Sequence, residues 1–141
     1  MRKAGSVRSR GVRWIVDGMN VIGSRPDGWW RDRHGAMLRL VDLLERFASS
    51  AGEQVTVVFE RPPVAPIASE VIEIGHAPRP GRDSGDAEIV RRVGSDPQPG
   101  TLRVVTSDRA LAAQVRAAGA SVEAARAFRD RLAAVAGATE R

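Results

Sequence analysis

Four aspartates, Asp17, Asp83, Asp86 and Asp108, are the residues of this chain best suited to hydrolytic chemistry if the fold gathers them. Carboxylates within a few ångströms of one another repel, so either some take up protons or a cation settles among them. An all-oxygen donor set favours magnesium or manganese over zinc. The chain has no cysteine and only two histidines, His34 and His76, which argues against a zinc site. His34 falls at a loop-to-helix junction and His76 in a polar loop, and both read as surface residues. A magnesium ion held by carboxylates, with water in its open positions, suits phosphodiester hydrolysis and needs no covalent nucleophile.

Each aspartate also has a plainer reading. Aspartate is a favoured helix N-cap, so Asp83-Ser84 and Ser107-Asp108 could simply start helices. Asp17-Gly18 could be an ordinary turn. Independent caps have no reason to meet at one edge, so the surrounding elements decide.

Val12 to Val16 is a short apolar strand that Asp17 ends. Gly23 to Gly35 reads as a long polar loop carrying Pro26, Asp27-Gly28 and Trp29-Trp30. Met37, Leu40, Val41, Leu44, Phe47 and Ala48 recur at helical spacing, with Gly52 placed for a left-handed cap. Gln54 to Glu60, Val71 to Ile74, Thr101 to Thr106 and Ala120 to Val122 read as strands. Helices are expected from Asp83 to about Val93, from Asp108 to Ala118, and along the stripe Phe128, Leu132, Val135. This alternation predicts an α/β fold, a mainly parallel sheet with helices on both faces. The functional crevice of such a sheet lies beyond the carboxyl ends of its strands, near the topological switch point. Asp17 and Asp108 then stand at strand ends, while Asp83 and Asp86 share one helix face.

The 141 residues suit a basic arm over residues 1–11 and one folded domain over 12–138. A hydrophobic content of 43% is enough for a real core. No apolar run reaches the roughly 18 residues of a membrane helix, and none follows the basic start as a signal peptide requires. The expectation is a soluble cytoplasmic protein. The net charge of +5 is carried almost wholly by arginine. Such a surface attracts polyanions, nucleic acid above all, although genomic base composition also enriches arginine.

Three segments together resemble a known family. Ile15 to Ile22, IVDGMNVI, resembles the opening motif of NYN domains, and more narrowly of the YacP-like group of PIN-like nucleases. Asp83-Ser84-Gly85-Asp86 resembles that group's acidic helix start, and Val105-Thr106-Ser107-Asp108 its strand-end motif. The resemblance spans about Val12 to Leu132 and implies a PIN-like three-layer fold with a five-stranded, mainly parallel sheet. It also implies Mg2+ or Mn2+ and endonucleolytic cleavage of RNA, single-stranded and translation-linked by analogy. By motif match Asp17, Asp86 and Asp108 are metal ligands, and Asp83 is a fourth acid that ligates or orients water. Asn20 positions a ligand or the scissile phosphate. Two departures stand out: the family often has glutamate at Asp83 and an aromatic at Met19.

Near these motifs lie Arg25, Arg31 and Arg33 with Trp29 and Trp30, followed by Arg61, Arg79 and Arg82. Arginine binds phosphate bidentately and tryptophan stacks on unpaired bases. Arg25, Trp29, Trp30, Arg31, Arg33 and Arg82, with Asn20 and Ser107, are therefore the expected substrate contacts. One tryptophan could equally plug the core. Arg91 and Arg92 read as plain surface. A P-loop is absent, no GxGxxG follows the first strand, and no histidine follows Ser84 to serve a serine hydrolase. The leading expectation is a metal-dependent endoribonuclease. Its rivals are a PIN-like RNA-binding module that does not cleave and an unrelated nucleotide-binding α/β domain.

Overall fold

The computed structural model describes residues 11–139 apart from residues 64, 79, 80, 82 and 83. The predicted basic arm (Gly11 aside) and the predicted site residues Arg82 and Asp83, with Arg79, therefore lie outside the described residues. The apolar, β-branched runs form five strands: β1 (Arg13–Asp17), β2 (Gln54–Phe59), β3 (Glu73–His76), β4 (Leu102–Val105) and β5 (Ser121–Glu123). All are parallel, in the order β3-β2-β1-β4-β5. The helices are α1 (Gly18–Gly23), α2 (Arg33–Ala51), α3 (Ser84–Ser95), α4 (Arg109–Ala117) and α5 (Ala125–Thr139). This is the expected three-layer α/β architecture.

The central strand shows why the sheet needs helices on both sides. Trp14 and Val16 join one core with Phe47, Phe59 and Phe128, under α1, α2 and α5. Ile15, between them, joins the other core with Ile89, Leu111 and Val115 of α3 and α4. A parallel strand buried on both faces reads as a continuous apolar run, and this one does. Trp14, Phe47 and Phe128 meet with ring centroids 5.2 to 5.5 Å apart.

Three local differences from the sequence reading have physical causes. Helix α2 starts at Arg33, inside the expected loop, because Asp32 caps it by accepting the Gly35 N–H at 2.9 Å. The same loop holds a one-turn 3-10 helix at Trp29–Arg31. Strand β3 sits two residues later than expected, pairing Glu73 with Thr56 and His76 with Phe59. His76 thus closes a strand rather than lying in a loop.

Helix α1 was not expected at all. Its six residues are glycine-flanked and too short to show a period, and tertiary contacts hold it. Arg129 of α5 donates through Nε to the Val21 carbonyl at 3.0 Å and to Ser24 Oγ at 2.6 Å. Its Nη2 donates to the Ile22 carbonyl at 3.3 Å, so the guanidinium caps the open end of α1. At the other end, a Cβ on Gly18 would stand 2.6 Å from Phe59 Cε1 and 3.1 Å from Val57 Cγ2. Phe59 is 1% exposed and has little room to yield. Gly18→Ala should therefore destabilise the fold by about 1–3 kcal/mol, read from urea unfolding. A change within error would mean that the ring moves aside freely.

Arg92 is not plain surface. It bridges Glu88 at 2.8 Å and Glu73 at 3.1 Å, tying α3 to β3, while Arg91 also holds Glu88. Hydrogen bonds from Arg91 first, then from Arg92, take the Glu88 pKa from 4.5 to about 2 despite burial. A depressed folded pKa contributes stability that is present above the unfolded value and lost as pH falls through the folded one. Wild type should therefore lose its Tm advantage over Glu88→Gln as pH falls from about 4.5 towards 2. A gap independent of pH would show that Glu88 is not held as a carboxylate.

Candidate active site at the carboxyl edge of the sheet

Strand β1 is flanked by β2 on one side and β4 on the other, so the order of successive strands reverses beside it. Asp17 is its last residue, and Asp108 lies three residues past the end of β4. Asp86 is in the first turn of α3. The three predicted ligands thus come from three separate elements, and the Asp86 and Asp108 charges both act on Asp17 at the switch point.

Asp17 is only 9% exposed. Burial is the main cause that pushes its pKa from 3.8 up to about 6; the Asp86 and Asp108 charges push the same way. The Thr106 hydroxyl, donating to Asp17 Oδ2 at 2.9 Å, and the neighbouring Asn20 N–H oppose the rise. Asp17 directly precedes α1, so Asp17-Gly18 is a strand-to-helix junction rather than an ordinary turn. Asp108 does cap, with Oδ1 accepting the Leu111 N–H at 3.0 Å. One carboxylate can cap a helix and still place charge near Asp17, and here it does both.

Thr106 is the residue that sequence reasoning passed over. It is 1% exposed, donates to Asp17 and accepts the Asp108 N–H at 3.1 Å through the same oxygen. One hydroxyl therefore fixes the two strand-end acids relative to each other. The available signal was a polar residue directly after an apolar strand, two residues before the acidic position.

Asn20 Oδ1 accepts the Ser107 N–H at 2.8 Å, which locks α1 to the loop after β4. Ser107 Oγ in turn accepts the Ala125 N–H at 3.0 Å at the start of α5. These two predicted substrate contacts stand at the acidic edge, where both hold its loops together. The predicted basic and aromatic contacts are divided. Arg33 lies over the Trp29 ring at 5.2 Å from its centroid and lines a cavity with Met19 and Arg61. Arg25 and Trp29 line a different depression, beside α5. Trp29 packs partly against the core, whereas Trp30 is 52% exposed. Arg31 is exposed, beside Gly28. His34 is half-buried rather than on the surface, and its Nδ1 is buried without a hydrogen-bond partner among the described residues.

Among the described residues, no three carboxylate or histidine groups stand close enough to form a ready-made metal cage. The donor set nevertheless suits a hard divalent cation. Positive charge would relieve the burial and repulsion that disfavour ionised Asp17, and magnesium commonly keeps several waters beside one or two carboxylates.

A parallel five-stranded sheet with helices on both faces and acids at the switch point defines the PIN-like α/β class. Within it, the chain belongs to the YacP-like NYN domain family of nuclease-type domains, whose family model matches residues 14–141. Among solved structures it is similar to the W164L mutant of Rae1 (YacP) from Bacillus subtilis. That match has a TM-score of 0.76 at 21% identity, covering 92% of this chain and 80% of the other. A second Rae1 (YacP) structure from Bacillus subtilis matches with the same TM-score and identity, over 92% of this chain and 78% of that one. Identity at this level speaks for the fold. No curated protein matches the chain significantly. No helix among the described residues is long and apolar enough to cross a membrane.

Proposed function

We propose that the chain is an endoribonuclease that hydrolyses RNA phosphodiester bonds with Mg2+ or Mn2+. The observation that carries this reading is the approach of Asp86 and Asp108 to a buried Asp17 at the switch point, from three separate elements. A fold that only bound RNA would gain stability by removing that repulsion. Asp17, Asp86 and Asp108 would hold the ion, with Asp83 as a fourth acid. When bound, the ion supplies charge stabilisation at the scissile phosphate and a more acidic attacking water.

The protein's own residues supply positioning. Thr106 sets the spacing of Asp17 and Asp108 through its single hydroxyl. Asn20 anchors the Ser107 loop, so substrate meets an edge whose backbone is already fixed. Arg25, Arg31 and Arg33 offer cationic contacts to phosphate, and the exposed Trp30 offers a face for an unpaired base.

The test is incubation of end-labelled single-stranded RNA with the protein in manganese or in EDTA. Internal products that need manganese support the assignment. The absence of products, with RNA affinity intact, moves it to a PIN-like RNA-binding module.

A further inference from the structure

Beside the acidic edge lies a cavity of about 310 Å³ that the hydrolytic reading does not use. Its apolar walls are Met19, Met37 and Phe59, and its polar groups are Arg33, His34 and Arg61, with Glu60 at the end of β2. The volume is at the lower end for small-ligand sites, and an apolar slot with a few polar groups at its margin is how flat heteroaromatic groups are recognised. The cavity shares structure with the acids. Met19 is two residues beyond Asp17, and Val58, just before Phe59, pairs with Asp17 across the sheet. Glu60 is joined to α3 by the Ser84 hydroxyl, which donates to its carbonyl at 2.9 Å, two residues before Asp86.

We propose that this cavity is a nucleobase subsite, which takes one unpaired base of the RNA strand lying across the acidic edge. The proposal rests on the reading of that edge as an RNA-cleaving site, because proximity to it selects an RNA base over other flat ligands. Three features fit that occupant. Half-buried Met19 gives a polarisable side chain against which a base can pack. Half-buried His34 contributes an imidazole to the lining, and Glu60 offers an acceptor for an exocyclic amine. Arg33, stacked on Trp29, and the exposed Arg61 place positive charge beside a base whose own phosphates would run toward the acids. A paired base presents no free face to such a slot, so the subsite demands single-stranded RNA.

The experiment measures binding rather than cleavage. A fluorescent single-stranded oligoribonucleotide is titrated with protein in EDTA, by anisotropy, alongside versions carrying one abasic position stepped along the strand. The expected result is a loss of about tenfold in affinity at one position and little at its neighbours. His34→Ala and Arg61→Ala, both checked for folding by circular dichroism, should weaken the intact strand and remove the difference between intact and abasic RNA. Uniform affinity for all abasic strands overturns the subsite. So does an Arg61→Ala loss of equal size for intact and abasic RNA, which would make Arg61 a phosphate contact only. Adenosine and uridine monophosphates form the remaining arm. If either binds the cavity while the abasic series stays flat, the site belongs to a free nucleotide and the RNA subsite is wrong. Because EDTA suppresses cleavage, failure of the nuclease assignment would show in the manganese assay and leave this measurement separate.

Discussion

Asp17→Asn should abolish manganese-dependent RNA cleavage and, at pH 7 in EDTA, make the protein more stable. The two effects have one cause. Asp17 is nearly fully buried, and its pKa of about 6 in the fold compares with 3.8 for an ordinary aspartate. Below both values folded and unfolded chains alike carry the proton, and burying a neutral acid brings no ionic penalty. As pH rises between them the unfolded chain loses its proton first, so ionisation favours unfolding and stability falls. At roughly 1.4 kcal/mol per pKa unit, the loss above pH 6 is on the order of 3 kcal/mol. Asparagine has no charge to bury and keeps an oxygen for the Thr106 hydroxyl. The variant should gain roughly 5–10 °C in Tm at pH 7 and gain almost nothing near pH 4. Manganese should raise the Tm of wild type and not that of the variant. The activity loss should exceed the roughly 10–100-fold that follows removal of an outer-shell partner, because Asp17 would hold the ion itself. Cleavage at the wild-type rate would remove Asp17 from the mechanism. Equal stability at both pH values would show that its charge is not the buried liability described.

That trade between stability and chemistry also marks how far the sequence could be read. The strands were legible because β1, β2 and β4 are buried on both faces and must be apolar throughout, as Trp14 to Val16 and Val104 to Val105 are. The acidic edge followed, since an aspartate after such a run must emerge at its carboxyl end. Helix α1 was not legible, because Arg129 from the far end of the chain and the aromatic ring against Gly18 stabilise it. The two adjacent tryptophans are equivalent in sequence; packing against the core separates Trp29 from Trp30. His34 reads as surface by its position at a helix start, and only the turn of α2 brings it into the lining of the cavity that Met37 and Phe59 share. Arg92 is hidden for the same reason, since its partner Glu73 is contributed by a different element.

Thr106→Val carries the next largest expected effect and tests whether the edge works as one unit. Valine matches threonine in shape, so packing in the 1%-exposed site should survive. The hydroxyl is lost from two bonds at once: the one donated to Asp17 and the one accepted from the Asp108 N–H. Because the first goes to a charged group, its removal should destabilise the protein by about 1.5–3 kcal/mol at pH 7. The Thr106 hydroxyl also holds the Asp17 pKa down against burial, so its loss should move that pKa above about 6. The sign matters. A higher folded pKa means that Asp17 ionises later, so the acid limb of kcat/KM should move to higher pH. Cleavage should therefore fall by about 10–100-fold near pH 6 and by less at alkaline pH. Thr106→Ser, which keeps the hydroxyl, should restore both the pH profile and most of the rate. A variant that merely loosened the fold would lose activity equally across the pH range, and serine would not restore the profile. In that case Thr106 supports the strand but does not set the charge state of its neighbour. The recovery of the acid limb with serine is what would assign the hydroxyl, rather than the packing of the side chain, to the positioning of Asp17 and Asp108.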